Sequence, residues 1–96
     1  MGLFGPPPPM VTPYEFKMRV IPELIANHSF SNVEIDDIRK LVFGAQTGEG
    51  EQKSVNAKEL KEIILWLKQN KTKHAIKSDE HIHAFEEIMH KYLAQS

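Results

Sequence analysis

A five-residue pattern that occurs four times in this chain constrains its fold more than any other feature. The pattern is an apolar residue, a residue that can cap a helix, two further residues and a glutamate, and it is clearest at residues 55–59. There Asn56 can accept a hydrogen bond from the first helical turn, Glu59 can reach back to the backbone of Asn56, and Val55 can pack against Leu60. The other copies lie at residues 11–15, 30–34 and, in weaker form, 76–80. Four helix starts predict an all-α domain.

Apolar spacing and helix-breaking residues set the expected bounds of a compact four-helix domain, at about residues 12–27, 31–43, 56–70 and 78–93. Pro13 suits the first position of a helix, where a missing N–H costs nothing, and Gly44 is a natural stop for the second helix. Pro22 lies inside the first helix, and we expect it to kink or split that helix.

The N-terminal segment differs in composition from the rest of the chain. Residues 6–9 are four consecutive prolines, which favour an extended conformation and exclude a helix. We therefore expect residues 1–11 to be a disordered Pro-rich tail and residues 12–94 to be a single helical domain. The tail is interpreted as a spacer. Two alternatives are a ligand for an aromatic-lined groove and a segment whose Leu3 and Phe4 fold back onto the domain.

Charge and cysteine content exclude several classes of protein. The formal net charge of -1 gives no overall attraction to nucleic acid or to an anionic membrane, and the chain has no cysteine for a disulfide or a thiolate zinc site. No apolar run is long enough to span a bilayer, and no secretory signal is evident. These features predict a cytoplasmic protein that does not insert into a membrane.

Patterns typical of enzymes are also missing from the sequence. No serine, histidine and acid follow one another with a supporting turn, and no glycine-rich fingerprint follows a strand. The glycine-rich segment at residues 44–54 has the wrong spacing for a phosphate-binding loop and follows a helix. We expect a non-enzyme without a cofactor.

Histidine is the most chemically suggestive residue type in the chain. His83, Glu87 and His90 are spaced so that one face of the fourth helix could present them to zinc or a similar ion, which makes metal binding one alternative function. All three fall on the predicted solvent face, so a solvated polar surface is the preferred interpretation. His81 lies nearer the core edge and is interpreted as a half-buried packing residue.

The only basic cluster begins at the end of the third helix and comprises Lys68, Lys71, Lys73, His74 and Lys77. It is interpreted as a solvated connector, and a phosphate-contacting loop of a nucleic-acid-binding domain is the alternative. A helix-turn-helix reader is disfavoured because acidic residues begin the second helix.

Three apolar residues are candidates for a protein-binding surface: Trp66, Leu65 and Phe43. Tryptophan is favoured at the centres of protein interfaces, and Leu65 points toward the charged side of its helix. The alternative for Trp66 and Leu65 is that both contact the core or the N-terminal tail. The expected partner is another protein or a peptide, and the oligomeric state is left open.

The order of helices and connectors resembles a degenerate pair of EF-hands. Residues 59–67 and 68–80 are similar to an entering helix and its loop, with Ile76 at the apolar bridging position and Glu80 at the final glutamate. Phe30 and Glu34 would be their counterparts in the first unit. Gln69, Lys71 and Lys73 stand where the family has calcium ligands. The resemblance therefore implies a calcium-independent helical scaffold that binds a partner peptide.

Overall fold

The computed structural model describes residues 9–44 and 54–95, and these form four helices, which confirms the predicted all-α fold. Helix α1 covers residues 13–28 and α2 covers residues 32–44. Helices α3 and α4 are Ala57–Gln69 and Asp79–Gln95, and a 3-10 turn, Lys71–Lys73, lies between them. No helix in the described ranges is both long and apolar enough to cross a membrane.

Helix α1 stays continuous through Pro22 by widening one turn. It runs as α-helix Pro13–Glu15, π-helix Phe16–Val20 and α-helix Ile21–His28. The N–H of Ile21 bonds to the carbonyl of Phe16, five residues earlier. A proline ring clashes with the carbonyl four residues before it, and a wider turn relieves that clash. The disturbance expected at Pro22 thus takes the form of a π turn.

Three of the four predicted helix starts are complete capping boxes. The side chains of Thr12, Ser31 and Asn56 each accept a hydrogen bond from the backbone N–H of the glutamate three residues later. Each glutamate side chain in turn accepts the N–H of its capping residue. At the start of α4, the hydroxyl of Ser78 accepts the N–H groups of Glu80 and His81 instead.

A two-stranded antiparallel ladder joins the segments that precede α1 and α3. Strand β1, Met10–Val11, pairs with β2, Val55–Asn56, so that Val11 faces Val55. Both valines are buried in the core. Residues 10 and 11 therefore belong to the folded domain, whereas the sequence placed them in the tail, because burying Val11 pins them. Residues 1–8 lie outside the described residues.

The two-stranded ladder does not lie at the bridging positions that the EF-hand resemblance predicts. That resemblance places its apolar bridging residues at Phe30 and Ile76, and both are buried. The ladder found in the described residues instead lies before the first and third helices. The EF-hand resemblance stays a prediction.

Helix α1 ends in a left-handed residue that is not glycine. Ser29 has φ of 58°, and it is the one described non-glycine residue with a positive φ. The next N–H, from Phe30, bonds back to the carbonyl of Leu24 at 3.3 Å. Phe30 and Leu24 are both buried, so this cap directs the chain into the core before α2 begins.

One apolar core unites the helices, and a polar cluster joins α1 to α4 at its edge. The carboxylate of Glu23 accepts hydrogen bonds from Lys91 Nζ at 2.7 and 2.8 Å and from the Tyr92 hydroxyl at 2.9 Å. The bond from Lys91 is the main cause that lowers the pKa of Glu23, and the bond to Glu23 raises the pKa of Tyr92. Glu23 is therefore a structural carboxylate.

Candidate partner-binding groove at Trp66

Hydrogen bonds attach the connector between α3 and α4 to α2 and to α3. The carboxylate of Asp37, on α2, accepts the backbone N–H of Ala75 at 2.7 Å. Asn70 ends α3 by donating both its backbone and its side-chain N–H to the carbonyl of Trp66, each at 3.0 Å. These bonds attach the connector to α2 and α3.

His74 is the buried polar residue of the described chain, with 6% of its surface exposed. Its Nε2 lies 2.8 Å from the carbonyl oxygen of Leu67, and its Nδ1 lies 3.0 Å from the N–H of Ile76. A neutral ring with its proton on Nε2 satisfies both contacts, since Nε2 then donates and Nδ1 accepts. Both ring nitrogens are thus used to hold the connector.

Trp66 lies against this fixed histidine and remains partly open to solvent. The two ring centroids are 5.5 Å apart with a 40° tilt between the planes, and Trp66 is 37% exposed. Since His74 is held by backbone bonds on two sides, it supports the indole from the protein side. The exposed part of the indole is available for a ligand.

A groove of about 320 Å³ opens beside Trp66, between the end of α3, the connector and α2; its lining residues are Asp37, Lys40, Leu41, Trp66, Lys73 and His74. Leu41 packs against the core and, with the indole, gives the groove apolar walls. Lys40 pairs with Asp36 at 3.2 Å. No carboxylate in the part of the chain that the structure describes pairs with the ammonium group of Lys73. The groove therefore combines apolar walls with charges of both signs, the ammonium groups of Lys40 and Lys73 and the carboxylate of Asp37.

The three apolar residues predicted as partner-binding have different surroundings. Trp66 lines the groove, whereas Leu65 is 53% exposed and does not line it. The backbone of Phe43 lies within the π-helix Lys40–Gly44, and its side chain lies outside the described residues.

The candidate metal ligands are not brought together around one point. His83 Nε2 lies 2.5 Å from Glu87, whereas His90 Nε2 lies 4.0 Å from Glu86. Within residues 9–44 and 54–95, no group of three or more His, Asp or Glu side chains is placed to hold a metal ion. His83 also shares a depression with two lysines, Lys68 and Lys71, and two carboxylates, Asp79 and Glu86.

The basic cluster is partly engaged in contacts of its own. Lys71 pairs with Asp79, and Lys77 donates to the backbone carbonyl of Lys71. His74, assigned to this cluster in the sequence, is buried. The cluster thus presents less free positive charge than its sequence suggests.

Two residues that build the groove were missed by the sequence analysis. Asp37 reads as one of several acidic residues early in α2, and His74 reads as one member of a basic connector. Their roles depend on contacts with Ala75 and Leu67, and no local sequence signal marks those contacts. Comparisons of the chain with protein-family models, with curated proteins and with solved structures found no match.

Proposed function

We propose that this domain is a non-catalytic protein-interaction module that binds a large apolar side chain of a partner polypeptide in the groove at Trp66. The observation that carries the proposal is a partly exposed tryptophan supported by a buried, doubly hydrogen-bonded histidine. Side chains that are already ordered lose little conformational entropy on binding, which favours affinity. Tryptophan is also enriched among the residues that contribute most to interface energy.

The charge at the rim specifies the partner further. Lys73 lies at the groove without a carboxylate partner among the described residues, while one oxygen of the Asp37 carboxylate, which also lines the groove, accepts the N–H of Ala75. A ligand that places an acidic residue near its apolar anchor would meet Lys73 favourably. We therefore propose a peptide segment that combines an aromatic or long aliphatic residue with a nearby Asp or Glu. A cytoplasmic location, expected from the lack of cysteine, is part of this proposal.

Selection from a library of random peptides tests the proposal and requires no identified partner. We expect the enriched sequences to pair a large apolar residue with an acidic one. Because Trp66 is the only tryptophan in the chain, its fluorescence reports directly on occupancy of the groove when a selected peptide is titrated.

Three variants then locate the binding site. Trp66→Leu, which keeps an apolar residue, should lower the affinity for a selected peptide by about tenfold, as measured by fluorescence polarisation. Lys73→Glu should lower the affinity as well. Leu65→Ala is the matched control, because Leu65 is the more exposed neighbour and does not line the groove. Enrichment of no peptide, or affinity that is the same for Trp66→Leu and the parent domain, would contradict the proposal.

A further inference from the structure

Helix α1 presents an apolar stripe to solvent. Tyr14, Met18 and Ile25 are 68%, 52% and 46% exposed, and Pro22 is exposed between the last two. Their spacings of four, four and three residues place them along one side of a helix. In a straight α-helix the stripe would span about 16 Å, and the π turn at residues 16–20 shortens it slightly.

The stripe is not needed to attach α1 to the domain. The helix is held by a different set of apolar side chains, which are buried in the core: Phe16, Val20, Ile21 and Leu24. Contiguous exposed apolar residues on a small soluble domain indicate an interaction site when another face already supplies the packing. A helix that is apolar on two sides fits between the core and a second surface.

The charged side chains next to the middle of the stripe are both positive. Lys17 and Arg19 flank Met18 on either side and are exposed. No carboxylate of the described residues forms a salt bridge with either of them. Both glutamates of α1 are occupied elsewhere. Glu15 completes the capping box of Thr12, and Glu23 is bound by Lys91 and Tyr92. Thr12 donates to Glu15 from neutral groups and leaves its charge in place, whereas Lys91 neutralises Glu23. Lys17 and Arg19 are therefore the two unpaired charges on either side of Met18, at the middle of the stripe.

We infer that this stripe binds an amphipathic α-helix of another polypeptide whose apolar face is bordered by acidic residues. An apolar seam with opposite charges at its edges is the arrangement by which two helices select each other. A length of about 11 residues, or three turns, matches the stripe. A second copy of this chain, joined α1 to α1 about a two-fold axis, would bring Lys17 and Arg19 close to their own equivalents, so repulsion disfavours it.

This surface is separate from the groove at Trp66. The stripe belongs to α1, whereas the groove is formed by α2, the end of α3 and the connector. The inference therefore does not rest on the proposed function, and variants at Met18 and at Trp66 distinguish a failure of one from a failure of the other.

Two labelled helical peptides of about 14 residues test the inference. They share one leucine pattern at helical spacing and differ only in the flanking positions, which are glutamate in one and lysine in the other. At low salt, fluorescence polarisation should show that the glutamate peptide binds the full chain about tenfold more tightly. Met18→Ser should weaken that binding by about tenfold, and the pair Lys17→Glu and Arg19→Glu should reverse the preference.

Val33→Ser is the matched control, because Val33 is an exposed apolar residue on α2, away from the stripe. It should leave the affinity unchanged, as should Trp66→Leu, and thermal unfolding should confirm that each variant is folded. Equal binding of the two peptides, or binding that Met18→Ser does not affect, would overturn the inference. So would self-association in sedimentation that Met18→Ser abolishes, or binding to phosphatidylserine vesicles in place of the acidic peptide.

Discussion

Nδ1 of His81 lies 2.6 Å from Oε2 of Glu34, so one carboxylate joins the start of α2 to the first turns of α4. The other oxygen of Glu34 accepts the N–H of Ser31 at 2.9 Å and closes the capping box of α2. The imidazole of His81 stacks on Phe30, with ring centroids 4.3 Å apart. The glutamate that caps α2 locally therefore also contacts a residue 47 positions away in the sequence.

Replacing His81 with alanine should destabilise the domain by about 1–3 kcal/mol, because it removes both the bond to Glu34 and the stack on Phe30. Urea unfolding at neutral pH measures the change. His83→Ala is the control, since His83 is exposed and pairs with Glu87 of its own helix, and it should have little effect. Equal losses for the two variants would contradict a special role for His81.

The contribution of Glu34 should depend on pH. Burial opposes its charge, but the hydrogen bonds from Ser31 and His81 outweigh burial and lower the pKa of Glu34 below its ordinary value of 4.5. The carboxylate therefore stabilises the fold above about pH 4.5, and this contribution is lost as the pH falls through the lowered pKa of the folded state. The difference in unfolding free energy between the parent chain and Glu34→Gln should accordingly shrink as the pH falls.

Urea unfolding at a series of pH values from neutral down to about 3 measures that difference. Glu62→Gln, at an exposed position on α3, corrects for titration of ordinary surface carboxylates. If the difference in unfolding free energy between the parent chain and Glu34→Gln stays constant across this pH range, the charge of Glu34 contributes nothing to stability.

His74→Phe should destabilise the domain by about 2–4 kcal/mol, although phenylalanine is more apolar than histidine. The ring would still fill the space, but the N–H of Ile76 and the carbonyl of Leu67 would lose their partner in a buried position. Thermal and urea unfolding measure the loss. His90→Phe, at an exposed position, should change stability little, and a His74→Phe protein as stable as the parent would contradict the assigned bonds.

Val11→Ala should cost about 1–3 kcal/mol, because Val11 is buried where β1 pairs with β2. Val33→Ala removes the same atoms from an exposed position on α2 and should have little effect. Urea unfolding of the two variants tests whether residues 10 and 11 belong to the domain. Equal stabilities of the Val11→Ala and Val33→Ala variants would show that Val11 belongs to the tail and not to the domain.

Ser29→Gly should stabilise the domain by about 0.5–1 kcal/mol, because glycine adopts the positive φ of this position without a clash of its side chain. Ser29→Ala retains a Cβ atom and should give no such gain. Thermal unfolding of the pair distinguishes relief of the backbone from loss of the hydroxyl group, and a gain in both variants would exclude the backbone explanation.

The helix starts could be predicted from the sequence because a capping box is complete within four residues. Thr12, Ser31 and Asn56 each bond to a glutamate three positions away, and that bond does not depend on the rest of the fold. Apolar spacing then placed the helix ends to within two residues of where the structure has them. The disturbance at Pro22 was also local, although its form, a π turn, was not evident from residue type.

The groove depended on the tertiary structure. Trp66 was identified from residue type alone, but its support by His74 and the engagement of Asp37 by Ala75 require α2, α3 and the connector to be in place.

Sequence alone therefore determined four helices and where each begins, since those signals act between neighbours along the chain. Packing decided that Val11 pairs with Val55, that His74 is buried and that His81 meets Glu34. Each of these contacts joins residues that are far apart in the sequence and become neighbours only when the core assembles. No short stretch of residues encodes such a contact.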